Sequence, residues 1–134
     1  PPPKSTGRDQ FGLNWLNTYM KYADRYNNED ILATLSYFTA QSVFQGCEEF
    51  INSNNVSKLI VSGGGAHHMC IMKFLNNLFS PIEVVPSSKF NISVDSKEAL
   101  GFAIFAVANI KEIPSNLPSV TGAHKSVILG KINL

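Results

Sequence analysis

The chain has 134 residues, 44% hydrophobic and 16% charged, an ordinary balance for one globular domain long enough to bury a core. Its formal net charge of +1 offers no electrostatic footprint for nucleic acid or an anionic membrane surface. No apolar run reaches transmembrane length and no signal-peptide pattern is present, so neither a membrane nor a nucleic-acid partner is expected. The two cysteines, Cys47 and Cys70, fall in apolar stretches of predicted helices. They are expected to be buried free thiols of a cytoplasmic protein rather than a disulfide or metal ligands.

Pro1-Pro2-Pro3 favours an extended, linker-like start, and the chain reads as if cut from a longer one. Lys4-Ser5-Thr6-Gly7-Arg8 continues as a polar loop, so 1–12 is assigned as linker and loop. Helices are expected over 13–52. The first carries Leu13, Leu16 and Met20 at helical spacing with Asn14 as its N-cap. After a break at Tyr26-Asn27-Asn28, a longer one runs from about Asp30 to Ile51. Its apolar stripe is Ile31, Leu35, Phe38, Val43, Cys47 and Phe50, and Glu29 and Asp30 suit the positive end of its dipole.

The segment 58–110 reads as a β-α-β-α unit. Lys58 to Ser62 is a buried strand, expected to be parallel, and three glycines stop it. A helix from Ala66 to Phe79 follows, then a strand from Ile82 to Val85 closed by Pro86. The apolar run from about Ser96 to Asn109 is expected to form a buried helix. From 111 to 134 the chain has turn chemistry at Pro114, Asn116, Pro118 and Gly122 and no period, so it is taken as irregular. The fold class is α/β, a partial parallel sheet flanked by helices. Two strands are few for four helices, so a partner sheet is expected on chain outside these residues.

Gly63-Gly64-Gly65 stands where a strand turns into a helix. Without Cβ atoms the backbone can pass close to a ligand there, and free N–H groups can meet a phosphate; a ligand-free tight turn is the alternative. The dinucleotide spacing G-x-G-x-x-G is absent, and Lys4-Ser5-Thr6 lacks the glycines and strand of a P-loop. His67 and His68 point roughly 100° apart on a helix and cannot easily share a metal; surface positions on the first turn are the simpler reading. His124 and the cysteines show no metal spacing. Asp95 and Glu98 have the spacing of a capping box, and the alternative is that Glu98 faces a cleft.

Four segments, in order, carry a family resemblance. Pro2 to Asp9 with Asn14-Trp15-Leu16 resembles a P-P-K-S-T-G-R-E loop and its following helix. Val61 to Ala66 resembles C-G-G-G-A, and Asp95 to Ala103 resembles D-x-x-E-A-x-A-F-A. Asn116 to Ala123 resembles a C-terminal signature. Together they resemble the anhydro-N-acetylmuramic acid kinases, of the actin, hexokinase and Hsp70 superfamily. The resemblance implies the C-terminal part of the second lobe of such a fold, in a protein that opens the 1,6-anhydro ring with water and phosphorylates O6 from ATP. It implies ATP and Mg²⁺, a place in peptidoglycan recycling, a homodimer, and an N-terminal lobe of the same protein as partner. It assigns Gly63, Gly64 and Gly65 to the nucleotide and Glu98 to the sugar. Lys4, Ser5, Thr6 and Arg8 are expected near the cleft or hinge. The phosphate-binding segment and the general base are expected upstream, so these 134 residues alone are expected to be inactive. Two positions depart from the family: His68 stands where Asn is usual, and Asp9 where Glu is usual. The alternatives are another sugar or acid kinase of the superfamily, against which the Asn116 to Ala123 segment argues, and a non-catalytic nucleotide-binding module.

Overall fold

The computed structural model describes residues 7, 9–53 and 55–133, without the side chains at 49, 50, 52 and 53. The chain divides into two compact units, Ala23–Lys97 and a second combining Pro1–Tyr22 with Glu98–Leu134.

The first unit is α/β. Numbered in chain order after helix α1 (Leu13–Met20) of the other unit, it holds helix α2 (Asn28–Ser53), strand β1 (Lys58–Val61), helix α3 (Met69–Phe79) and strand β2 (Glu83–Pro86). The two strands are parallel, with Leu59 opposite Val84 and Ile60 opposite Val85, and α3 is their crossover. The core lies where α2 and α3 meet one sheet face. Ala40, Leu75, Phe79 and Val84 are buried there, with Phe44, Cys47, Ile51, Leu59 and Val61 packed around them. Phe44 and Phe79 meet edge to face, ring centroids 5.2 Å apart.

Several expectations are corrected at the level of single residues. The buried stripe of α2 passes through Ala40, Phe44, Cys47 and Ile51, at helical spacing, and leaves Phe38 and Val43 about 40% exposed (41% and 40%). The side chain of Phe50 lies outside those described. α2 also begins earlier than expected, because Asn27 Oδ1 accepts from the Asp30 N–H at 2.8 Å and caps it. β1 is not a buried strand but an alternating one: Leu59 and Val61 turn to the helices, while Ile60 is 53% exposed on the opposite face. Among the described residues the strand has one neighbour, and within this unit helices pack on one of its faces. Both cysteines are free thiols, but neither is buried as expected: Cys47 is half-buried against the core, and Cys70, at the outer start of α3, is exposed.

At the first rung of the sheet, Lys58 and Glu83 lie opposite each other and form an ion pair, which Lys89 joins at 3.1 Å. The hydrogen bond from Lys58, then that from Lys89, holds the Glu83 carboxyl below its ordinary value of 4.5. A carboxyl depressed in the folded state stabilises above its unfolded value, and that contribution is lost as pH falls through the folded one. The full-length protein is therefore expected to lose a little stability below about pH 4.5. Replacing Glu83 by Gln should flatten the acid side of a plot of melting temperature against pH. The effect is small because these side chains are about half exposed.

The second unit contains helices α1 (Leu13–Met20), α4 (Lys97–Ile110) and α5 (Pro118–Thr121). Gly12, not Asn14, occupies the N-cap of α1. Trp15 and Tyr19 meet on one side of this helix with ring centroids 4.9 Å apart and planes tilted by 49°. The apolar helix α4 exists as expected but has no buried residue; Phe102 is 74% exposed and Ile110 71%. It is apolar on every side, and the described residues of this unit are too few to wrap it. Its last turn is joined to the tail by Asn109, whose Nδ2 donates to the Leu129 carbonyl at 2.8 Å.

The tail is more regular than its composition implied. Pro118 opens α5 at its first turn, and Gly122, at φ 74°, ends it in the left-handed region. Asn116 then pins two irregular segments of the tail together: its Nδ2 donates to the Lys125 carbonyl at 3.0 Å, and its Oδ1 accepts from the Val127 N–H at 2.6 Å. A groove of about 610 Å³ between α4 and the tail is lined by Phe102, Phe105, Asn109, Ile110 and Leu129. None of the residues assigned to a nucleotide or a sugar lines it.

Candidate functional site

The glycine turn connects β1 to α3 in three steps. Gly63 sits at φ 80° and ψ −173°, a backbone region essentially closed to residues with a Cβ. Its N–H donates to the Val94 carbonyl at 2.7 Å, and its carbonyl accepts from Ala66 at 2.9 Å. Gly64–His67 then forms one turn of 3-10 helix, and α3 starts at Met69. The helix therefore begins three residues later than the apolar pattern implied, because the glycines wind a tighter turn first.

Gly64 and Gly65 differ from Gly63. A Cβ built on either meets nothing within 4 Å, and neither has a positive φ. Both are exposed, and their N–H groups find no acceptor among the described residues. The fold of this unit thus requires glycine at 63 alone. At 64 and 65 the missing Cβ leaves open space beside two free donors, a shape that admits a ligand close to the backbone.

The two histidines that follow have separate tasks. His67 Nε2 lies 2.9 Å from Asp95 Oδ1. A carboxylate only accepts, so Nε2 carries the hydrogen. His68 is the N-cap of α3, and its Nδ1 accepts from the Ile71 N–H at 3.3 Å. An asparagine could fill the same role, since the Asn Oδ1 and the His Nδ1 occupy equivalent positions on their side chains. Replacing His68 by Ala in the full-length protein is expected to cost up to about 1 kcal/mol, while Asn is tolerated. A thermal melt checks this: the Ala variant should fall by about one or two degrees and the Asn variant should not.

The capping box expected at the start of α4 is not formed. Asp95 is turned to His67, the helix starts at Lys97, and Ser96 precedes it. Glu98 is exposed in the first turn of α4 and makes no hydrogen bond among the described residues. The structure therefore gathers Gly63, Gly64, Gly65, His67 and Asp95 within the unit Ala23–Lys97, whereas Glu98 belongs to the other unit. Lys4, Ser5, Thr6 and Arg8 lie outside the described residues. No group of three or more His, Cys, Asp or Glu among the described residues could hold a metal ion.

The model of one protein family, described as anhydro-N-acetylmuramic acid kinase, matches residues 1–134. The chain belongs to the anhydro-N-acetylmuramic acid kinase family. Proteins of that name from Salinibacter ruber and Clostridioides difficile are 39% and 40% identical to it, each over 136 residues. The kinase of this name from Coxiella burnetii is 42% identical over 132 residues. These alignments cover 98% to 99% of this chain but only 34% to 35% of the relatives' length. As an anhydro-N-acetylmuramic acid kinase family chain, it carries the glycine turn and the Asp95–Glu98 segment inside the matched span. The glycines and Glu98 stand out in the sequence as motifs, whereas the bond between His67 and Asp95, which are 28 residues apart, does not. Periodicity cannot reveal a contact at that separation.

Proposed function

We propose that the full-length protein is an ATP-dependent kinase of anhydro-N-acetylmuramic acid, acting in the cytoplasm in peptidoglycan recycling. The family match over all 134 residues carries this reading. Water adds to C1 of the sugar as the C1–O6 bond breaks, and O6 takes the γ-phosphoryl group of ATP with ADP leaving. A base must accept the proton of that water, and the phosphoryl group must be held in line with O6. None of the described residues is assigned as the base.

The part given to this chain is recognition. Gly64 and Gly65 offer bare backbone and two N–H donors to the nucleotide, and Gly63 supplies the bend that presents them. Glu98, free of any cap, accepts hydrogen bonds from sugar hydroxyls. Mg²⁺ would arrive on the ATP phosphates and neutralise charge on the transferring group; no ligand for it is assigned among the described residues. The 134 residues alone are inactive in this reading, and the working protein is a homodimer whose N-terminal lobe completes the cleft.

The test is direct. Full-length protein, ATP, Mg²⁺ and anhydro-N-acetylmuramic acid are expected to yield a 6-phosphorylated, ring-opened sugar, whose mass shows one added water and one added phosphoryl group. A folded full-length protein that consumes no ATP in response to the sugar would overturn the proposal.

A further inference from the structure

The glycine turn is an arch with two feet, and both stand on consecutive residues of another segment. At its start the Gly63 N–H reaches the Val94 carbonyl at 2.7 Å; at its end His67 Nε2 reaches Asp95 Oδ1 at 2.9 Å. Between the feet are Gly64 and Gly65, with free N–H groups, open space and no side chain to hold them. Two adjacent glycines are the most mobile backbone a chain can have. The Gly63 and Gly65 carbonyls accept from the Ala66 and His68 N–H groups at 2.9 and 3.2 Å and close the turn on itself, so what the two feet fix is how that turn is set against Val94 and Asp95.

The His67–Asp95 bond is poorly placed to serve stability. Its side chains are 59% and 68% exposed, and an exposed pair of this kind contributes about 1 kcal/mol at most. Its geometry instead restricts the arch. We propose that His67 is a positioning residue for nucleotide binding: by fastening the far foot of the arch to Asp95, it fixes the orientation of the Gly64 and Gly65 N–H groups. This rests on the nucleotide reading of the turn. Asp95 is the passive anchor and touches no ligand in this account.

Steady-state kinetics and amide hydrogen exchange on the full-length protein test the proposal together. His67→Ala and Asp95→Ala should each raise KM for ATP about fivefold, the equivalent of the upper limit for an exposed pair. KM for the sugar and the melting temperature should stay unchanged. The double variant should be no worse than either single one, because both remove the same bond. His67→Gln, whose Nε2 can donate to Asp95 from a similar reach, should restore most of the affinity. Exchange supplies a readout that needs no activity: the Gly63 amide should be protected in the wild type, lose protection in His67→Ala and regain it in His67→Gln. Unchanged protection in His67→Ala overturns the anchoring, whatever the ligand. Lost protection with an unchanged ATP KM in an active protein overturns the positioning role alone. A wild-type protein without sugar-dependent turnover counts against the kinase reading, and the exchange result still decides the anchor.

Discussion

Replacing Glu98 by Gln in the full-length protein is expected to lower kcat/KM for the sugar roughly ten- to hundredfold, with the melting temperature within a degree or two of wild type. The structure separates the two consequences. Had Glu98 closed a capping box, the substitution would have tested the helix as much as the site. Asp95 is engaged by His67 instead, and Glu98 makes no hydrogen bond among the described residues. Folding then has only the helix-dipole interaction to lose, a few tenths of a kcal/mol, or about that. A carboxylate accepting hydrogen bonds from a sugar in a desolvated cleft stands to lose about 1.5–3 kcal/mol when one oxygen becomes an NH₂. ATP affinity should be untouched. Wild-type turnover in the Gln variant would remove Glu98 from the sugar site.

The second large effect divides the three glycines by task. Gly64→Val should weaken ATP binding about tenfold or more, the loss expected when one or two backbone hydrogen bonds to a ligand are pushed apart. It should not disturb folding, because a Cβ at 64 meets nothing within 4 Å and the backbone there is ordinary. Gly63→Val should do the reverse as its first effect. At φ 80° and ψ −173° a branched side chain costs about 1–3 kcal/mol, so this variant should melt lower before any ligand is added. Calorimetry with ATP beside a melt of each variant reads both. A folded Gly64→Val protein with normal ATP affinity would show that the turn does not contact the nucleotide.

How far the fold was legible depended on the range of the interaction. The two strands announced themselves because β-branched runs end at glycine or proline, and their parallel pairing follows from the helix between them. Which residues face inward was harder. The large apolar side chains of Phe38 and Val43 fit the helical pattern, yet the helix buries Ala40 completely and turns Phe44 to the core. A small residue at a close helix contact leaves no mark in a hydrophobic pattern. Helix starts were displaced for local reasons: Asn27 caps earlier than the apolar stripe begins, and the glycines wind a 3-10 turn before α3. For the site, the glycines and Glu98 were visible as motifs, since each is a local string. What the strings could not convey is that the string holding His67 and the string holding Asp95 are hydrogen-bonded to each other.

Helix α4 has a practical consequence for handling this polypeptide. Six of its large apolar side chains, Leu100, Phe102, Ile104, Phe105, Val107 and Ile110, are between 42% and 74% exposed within 14 residues. In water such a rod behaves like a short surfactant. Mild non-ionic detergent should disperse it, and a polarity-sensitive dye should brighten on it. Sulfate salts, which are excluded from protein surfaces, should drive molecules together through it. Cooling should loosen that self-association rather than tighten it, because the water-driven attraction weakens as temperature falls.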